Sequence, residues 1–220
     1  NGCLLAGDIF QSIRHQCKTW EAIGIAEDDV KKLTENYRMS ENIQRLGNRY
    51  LEKCNGKSYS DSKGKAVPGP KPQLFISSDK SKNEVYTQIL SSIKLLLDKC
   101  DKSPKDIFIV TPSDSEVKKI KQLISKDASL NNIQIRELKV DKNEEIKFDE
   151  NKITIGTIDA IKGIDCPIVL LLLNESILER PTETLSNSIY TVINRAMHLL
   201  QIFMPESLSE SAEPSIENLV

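Results

Sequence analysis

Thr157, Asp159, Lys162, Gly163 and Asp165 crowd into one short polar loop between two apolar, β-branched runs, Ile153–Ile155 and Ile168–Leu173. Runs that short and that apolar read as strands buried on both faces, as in a parallel sheet covered by helices. Ligands of such sheets bind where polar loops leave the carboxyl ends of the strands. This loop is therefore the first place to look for chemistry, against the plain alternative of an ordinary strand–loop–strand. Three further groups stand where a ligand could be reached. Asp8 follows a short strand candidate, Cys3–Ala6, and the tight exit that Gly7 allows; it can accept from backbone N–H groups or hold a water near a phosphate-bound metal. Tyr37 and Arg38 lie in the loop leading into a helix. Arg195 interrupts the apolar face of another.

Other candidates carry less. Gly56-Lys57-Ser58 is the tail of a phosphate-loop pattern, but Leu51 stands where that pattern requires glycine, so the match reads as a solvated turn. Cys166 lies in the polar loop without an adjacent base and does not read as a nucleophile. His15 and His198 carry no metal or base constellation.

The elements that must position these groups follow from periodicity. Ser40 is a good N-cap residue, with Ile43, Leu46, Tyr50 and Leu51 at helical spacing behind it. Residues 55 to 72 are rich in Gly, Ser, Lys and Pro and read as a loop. A strand over Gln73–Ile76, a helix over Glu84–Cys100, a strand over Ile107–Thr111 and a helix over Asp114–Ser125 then alternate. That order predicts a parallel, right-handed α/β sheet. Lys139–Asn151 reads as an exposed connection and Glu175–Ser186 as a polar loop. Ile189–Leu200 reads as a helix with Arg195 in its middle, Gln201–Met204 as a last strand, and the tail from Pro205 as disordered.

The 220 residues suffice for one or two domains with their own cores. A formal net charge of −2 gives the chain no overall pull toward nucleic acid or anionic membrane, so any nucleic-acid contact must come from a local patch. The five cysteines are scattered and lack metal-ligand spacing, which points to reduced thiols in an intracellular, cytoplasmic protein. No apolar run approaches the roughly 18 residues of a membrane span. The chain opens on NGCLLAGD, which reads as mid-strand, so the expectation is that more protein precedes it.

Four segments in order, GDIFQSI, LTENYRMSENI, ITIGTIDAIKGIDCPIVLLL and SIYTVINRAMHLLQIF, resemble motifs III to VI of the UvrD/Rep-type superfamily 1 DNA helicases. The resemblance runs from Gly7 to Phe203 and is weak between Gly47 and Lys152. It implies a RecA-like, P-loop NTPase-type three-layer α/β/α domain with a mainly parallel sheet. Residues 1–28 would end a first RecA-like domain and connect it to the second, 29–204 would be that second domain, and 205–220 an acidic tail. It further implies an ATP site between the two domains, with Mg²⁺ held mainly by the first, which also carries the phosphate loop. Gln11 would sense the γ-phosphate, Tyr37 stack on adenine, and Arg38 and Arg195 reach the γ-phosphate. Gly163 and Asp165 would meet the ribose, with Asp8 on the phosphate side. Thr157, Asp159 and Trp20 would touch single-stranded DNA, with RNA left open. Phosphoryl transfer asks for positioned cations more than for covalent work, and arginine is preferred because its fork is always charged and grips two oxygens.

The sequence departs from the family pattern in places. Asp159 replaces a usual His, exchanging a donor to DNA for an acceptor that repels phosphate. Asp165 replaces a usual Glu, Asn194 a common Thr, and Arg14 a tyrosine, with Trp20 standing in for the base-stacking aromatic. Too few residues separate Ile135 from Ile153 for the large insert of processive members. The reading is thus the C-terminal half of an ATP-driven helicase or translocase, expected to be inactive without the phosphate loop. The alternatives are a degenerate or ATP-gated interaction module without unwinding activity, favoured by the acidic charge and Asp159, and an unrelated small-molecule α/β domain.

Overall fold

The computed structural model describes residues 19–30, 38–55, 67–78, 83–140, 151–179 and 182–211. The Cys3–Ala6 strand candidate, the Gly56–Ser58 turn and most of the Lys139–Asn151 connection lie outside them.

Six strands form one sheet: β1 (Gln73–Ser77), β2 (Ile107–Thr111), β3 (Gln134–Glu137), β4 (Lys152–Thr157), β5 (Cys166–Leu172) and β6 (Ala196–Pro205). Their spatial order is β1-β6-β5-β2-β4-β3, and every pair is parallel. The expected α/β fold with a parallel sheet, consistent with a RecA-like domain, is what the chain adopts. The central strands are apolar at successive positions because both faces are covered. In β2, Phe108 and Val110 point to one core, and Ile107 and Ile109 to the other. In β5, Val169 and Leu171 join the first, and Ile168, Leu170 and Leu172 the second.

The first core is closed by α1 (Glu41–Asn55), through Ile43, Leu46 and Tyr50, and by α4 (Thr182–Ile193), through Leu185, Ile189, Val192 and Ile193. The second is closed by α2 (Asn83–Asp98), through Val85, Tyr86, Ile89, Ile93 and Leu96, and by α3 (Asp114–Lys126), through Val117, Ile120 and Ile124. Phe75 and Phe203 stack at 4.8 Å between centroids across the β1–β6 pair. Among the described residues, no helix is long and apolar enough to cross a membrane.

Several sequence expectations need correction. The helix expected over Ile189–Leu200 stops at Ile193: the Asn194 backbone N–H and side-chain amide both donate to the Tyr190 carbonyl, at 3.0 and 2.8 Å, and the Arg195 N–H tightens to the Val192 carbonyl at 3.0 Å. The chain then turns into β6, whose first residue is Ala196. The apolar pattern runs through this junction without a break, so it conceals the change of period. The stretch expected to be a polar loop, 175 to 186, holds a 3₁₀ turn (Glu175–Glu179) and the start of α4. β3 pairs with β4 at the sheet edge although its residues are charged or only half-buried. The tail continues from β6 into α5 (Glu206–Ser211), held by a buried Leu208. Ser40 stands directly before α1, but its buried hydroxyl makes no hydrogen bond among the described residues. Its backbone is engaged instead, donating to the Met197 carbonyl at 2.8 Å and bridging Val67.

Parallel neighbours normally need a crossover of about a dozen residues or more, usually a helix. β4 and β5, on either side of β2, are joined by residues 158–165 alone. Ile158 and Ile161 are buried in the first core, to which β2 gives Phe108 and Val110, and replace the packing a helix would supply. The loop therefore runs along a sheet face from the carboxyl end of β4 to the amino end of β5.

Candidate functional site

The register separates the two ends of this crossover. Thr157 pairs with Thr111, whereas Ile168 pairs with Ile107 on the same strand. Ile107 and Thr111 are four residues apart along β2 and Asp165 precedes Ile168 by three more, which at about 3.3 Å per residue sets Thr157 and Asp165 ~20 Å apart along the sheet. Only the first half of the polar loop sits at the carboxyl edge. The expectation that the whole loop marks a carboxyl-end site is corrected accordingly: Gly163 and Asp165 belong to the amino edge.

At that amino edge three sequence-predicted residues meet. The Arg38 Nη1 lies 3.1 Å from Asp165 Oδ1, and the Arg195 Nη1 lies 3.8 Å from the same oxygen. Arg38 Nη2 donates to the Asn194 carbonyl at 3.0 Å, so its guanidinium is held on two sides. Arg195 occupies the turn between α4 and β6, not the middle of a helix, and the Cys166 N–H donates to its carbonyl at 2.9 Å. Its side chain is 8% exposed, against 38% for Arg38 and 43% for Asp165, so the carboxylate and one guanidinium face solvent while the other is set behind them. Both guanidiniums are permanent cations whose N–H forks suit an anion.

Cys166 lies against this cluster. Burial pushes its thiol well up, the Arg195 charge pulls the other way, and the Asp165 charge adds to the rise. It remains a protonated, packed thiol at neutral pH, in line with its reading as a non-nucleophile. Gly163 has φ +87°, a left-handed conformation that favours glycine at the last bend before Asp165.

At the opposite edge, the Thr157 hydroxyl accepts from the Ala160 N–H at 3.4 Å, and its carbonyl accepts from Ala160 and Ile161 at 3.0 and 3.2 Å. Thr157 thus shapes the turn that carries the half-buried Asp159. Trp20 lies in the segment 19–30, where its carbonyl accepts from the Ile25 N–H at 3.1 Å. The structure does not bring it to either edge of the sheet through any hydrogen bond or ion pair described. Asp8, Gln11 and Tyr37 lie outside the described residues. No group of three or more His, Cys, Asp or Glu side chains converges to hold a metal among the described residues.

Sequence reasoning missed the Asn194 carbonyl that anchors Arg38 and the Gly69 that admits Ser40. A backbone acceptor carries no residue-type signal. At Gly69, an added Cβ would come within 2.5 Å of the Ser40 Cβ, a closeness that only the folded chain reveals.

Among solved structures, the chain is similar to the C-terminal domain of a possible DNA helicase from Lactobacillus plantarum WCFS1. The TM-score is 0.52 and the identity 14%, over 77% of this chain and 87% of that one. At that identity the likeness is one of fold. No family model and no curated protein matches the sequence.

Proposed function

We propose that this chain is the C-terminal motor domain of an ATP-dependent DNA helicase or translocase of the UvrD/Rep superfamily 1 type. The observation that carries the reading is the convergence of Arg38 and Arg195, one before α1 and one before β6, on a single carboxylate oxygen. Two guanidiniums that face one carboxylate oxygen are a cation pair that fits a terminal phosphate, and the half-buried setting limits the water that would screen them.

Under this reading Arg38 and Arg195 hold and neutralise the γ-phosphate oxygens, a role worth about 10³–10⁵ in rate. Gly163 and Asp165 border the ribose, Tyr37 the adenine, and Asp8 and Gln11 the phosphate side from the first RecA-like domain, which also holds most of the Mg²⁺ coordination. ATP supplies the phosphoryl group given to water and the binding energy that closes the two domains. Thr157 and Asp159, at the far edge, belong to the track for single-stranded DNA, together with Trp20. The ~20 Å between the edges lets one rigid domain read a nucleotide at its amino end and a strand at its carboxyl end. The packed crossover 158–165 is the mechanical link between them.

Turnover of ATP by the full-length protein, with and without single-stranded DNA or RNA, tests the proposal. DNA-stimulated turnover supports a motor. Turnover that is absent or indifferent to nucleic acid sinks it in favour of a helicase-like interaction module.

A further inference from the structure

We infer that Asp165 is a positioning residue for both arginines: its carboxylate holds Arg38 and Arg195 in a shared orientation and competes for them with the phosphate they bind. This rests on the reading of the site given above and adds to the ribose role that the family resemblance implies for Asp165. The geometry supports it in three ways. One oxygen, Oδ1, serves both guanidiniums, at 3.1 and 3.8 Å, so the two cations are aimed at a common point. The backbones on which Asp165 and Arg195 stand are locked together, because the residue after Asp165 donates its N–H to the Arg195 carbonyl. The Arg38 fork is fixed on its other side by the Asn194 carbonyl, which leaves the Nη1 edge turned toward Asp165.

A carboxylate placed this way has two opposing effects. It costs the arginines part of their attraction for an incoming polyanion, because the same donors must first release Oδ1. It also keeps both forks aimed at one point, an alignment that counts where they act together on one phosphate in turnover. Removing the charge while keeping the shape should therefore tighten ground-state binding of a polyanion and weaken the alignment that matters in turnover. A residue that only touches ribose would do neither for a ligand without ribose.

The test uses the full-length protein and inorganic tripolyphosphate, read by calorimetry, beside steady-state ATP kinetics. Asp165→Asn is expected to bind tripolyphosphate about two- to fivefold more tightly, the range expected of partly exposed ion pairs, and to lower kcat. Asp165→Glu should restore wild-type values for both. Unchanged or weaker tripolyphosphate binding by Asp165→Asn, with a raised KM for ATP alone, would overturn the inference and leave Asp165 a ribose contact. Failure of the underlying reading looks different: Arg38→Ala and Arg195→Ala would then leave tripolyphosphate affinity at the wild-type value. Circular dichroism of each variant at the assay temperature separates these results from unfolding.

Discussion

Arg195 and Asp165 precede neighbouring parallel strands, and the 3.8 Å between Arg195 Nη1 and Asp165 Oδ1 joins the turn after α4 to the end of the β4–β5 crossover. The ion pair thus ties two chain segments whose positions depend on different parts of the fold. Arg195 is set by the stop of α4 at Ile193, and Asp165 by the path of the crossover over β2. Changes remote from both side chains should therefore be felt at the site.

Gly69 offers one such change. A Cβ there would stand 2.5 Å from the Ser40 Cβ and 3.0 Å from its Oγ, two residues from Arg38. Gly69→Ala should destabilise the protein by about 1–3 kcal/mol, the usual cost of overpacking, and displace the segment that presents Arg38. Equilibrium denaturation checks the first effect, and a weaker tripolyphosphate affinity the second. Wild-type values for both would mean that the 67–70 segment yields freely.

The crossover offers another. Ile161 is 2% exposed and packs in the first core in place of a helix. Ile161→Ala should cost about 2–5 kcal/mol, as buried aliphatic truncations do. Under the proposed function it should also reduce the stimulation of ATP turnover by DNA more than the basal rate, because the loop links the two edges. Equal losses in both would remove the crossover from the coupling.

Acid should weaken the fold through the second core's helices. The Lys94 ammonium, 2.6 Å from Asp127, and the Ser129 hydroxyl hold the Asp127 carboxyl down at about 2. Lys121 holds Glu137 below its ordinary range in the same way. A carboxylate with a depressed folded pKa contributes stability that is present above its unfolded value, near 4, and lost as pH falls through the folded one. Denaturation midpoints should therefore be flat from neutrality to about pH 5 and fall between about pH 4 and 2. In Asp127→Asn the fall should be shallower; an unchanged slope would assign the acid sensitivity to other carboxylates.

Much of this fold was legible in the sequence because burial on both faces leaves short apolar runs. β1, β2, β4, β5 and the amphipathic faces of α1, α2 and α3 stand where periodicity puts them. β3 was not legible, since an edge strand reading Gln-Ile-Arg-Glu lacks the apolar signal of its neighbours. The α4–β6 junction was hidden by apolar residues on both sides of Asn194. The residue types of the site were also readable, in that Arg38, Arg195 and Asp165 were singled out and do meet. Their location was not. Whether a loop starts and ends at the same edge depends on strand register, and the β2 pairings alone place Thr157 and Asp165 at opposite ends.

The most direct measurement of the central claim is the single-turnover rate of ATP hydrolysis by the full-length protein, its Arg38→Ala and Arg195→Ala variants, and the double variant, each saturated with single-stranded DNA. If both guanidiniums act on one phosphate, each single substitution should cost about 10³-fold or more. The double should then cost far less than the product of the two, because groups that act as a unit are not additive. A wild-type rate in Arg195→Ala would contradict the account, and so would fully multiplicative losses.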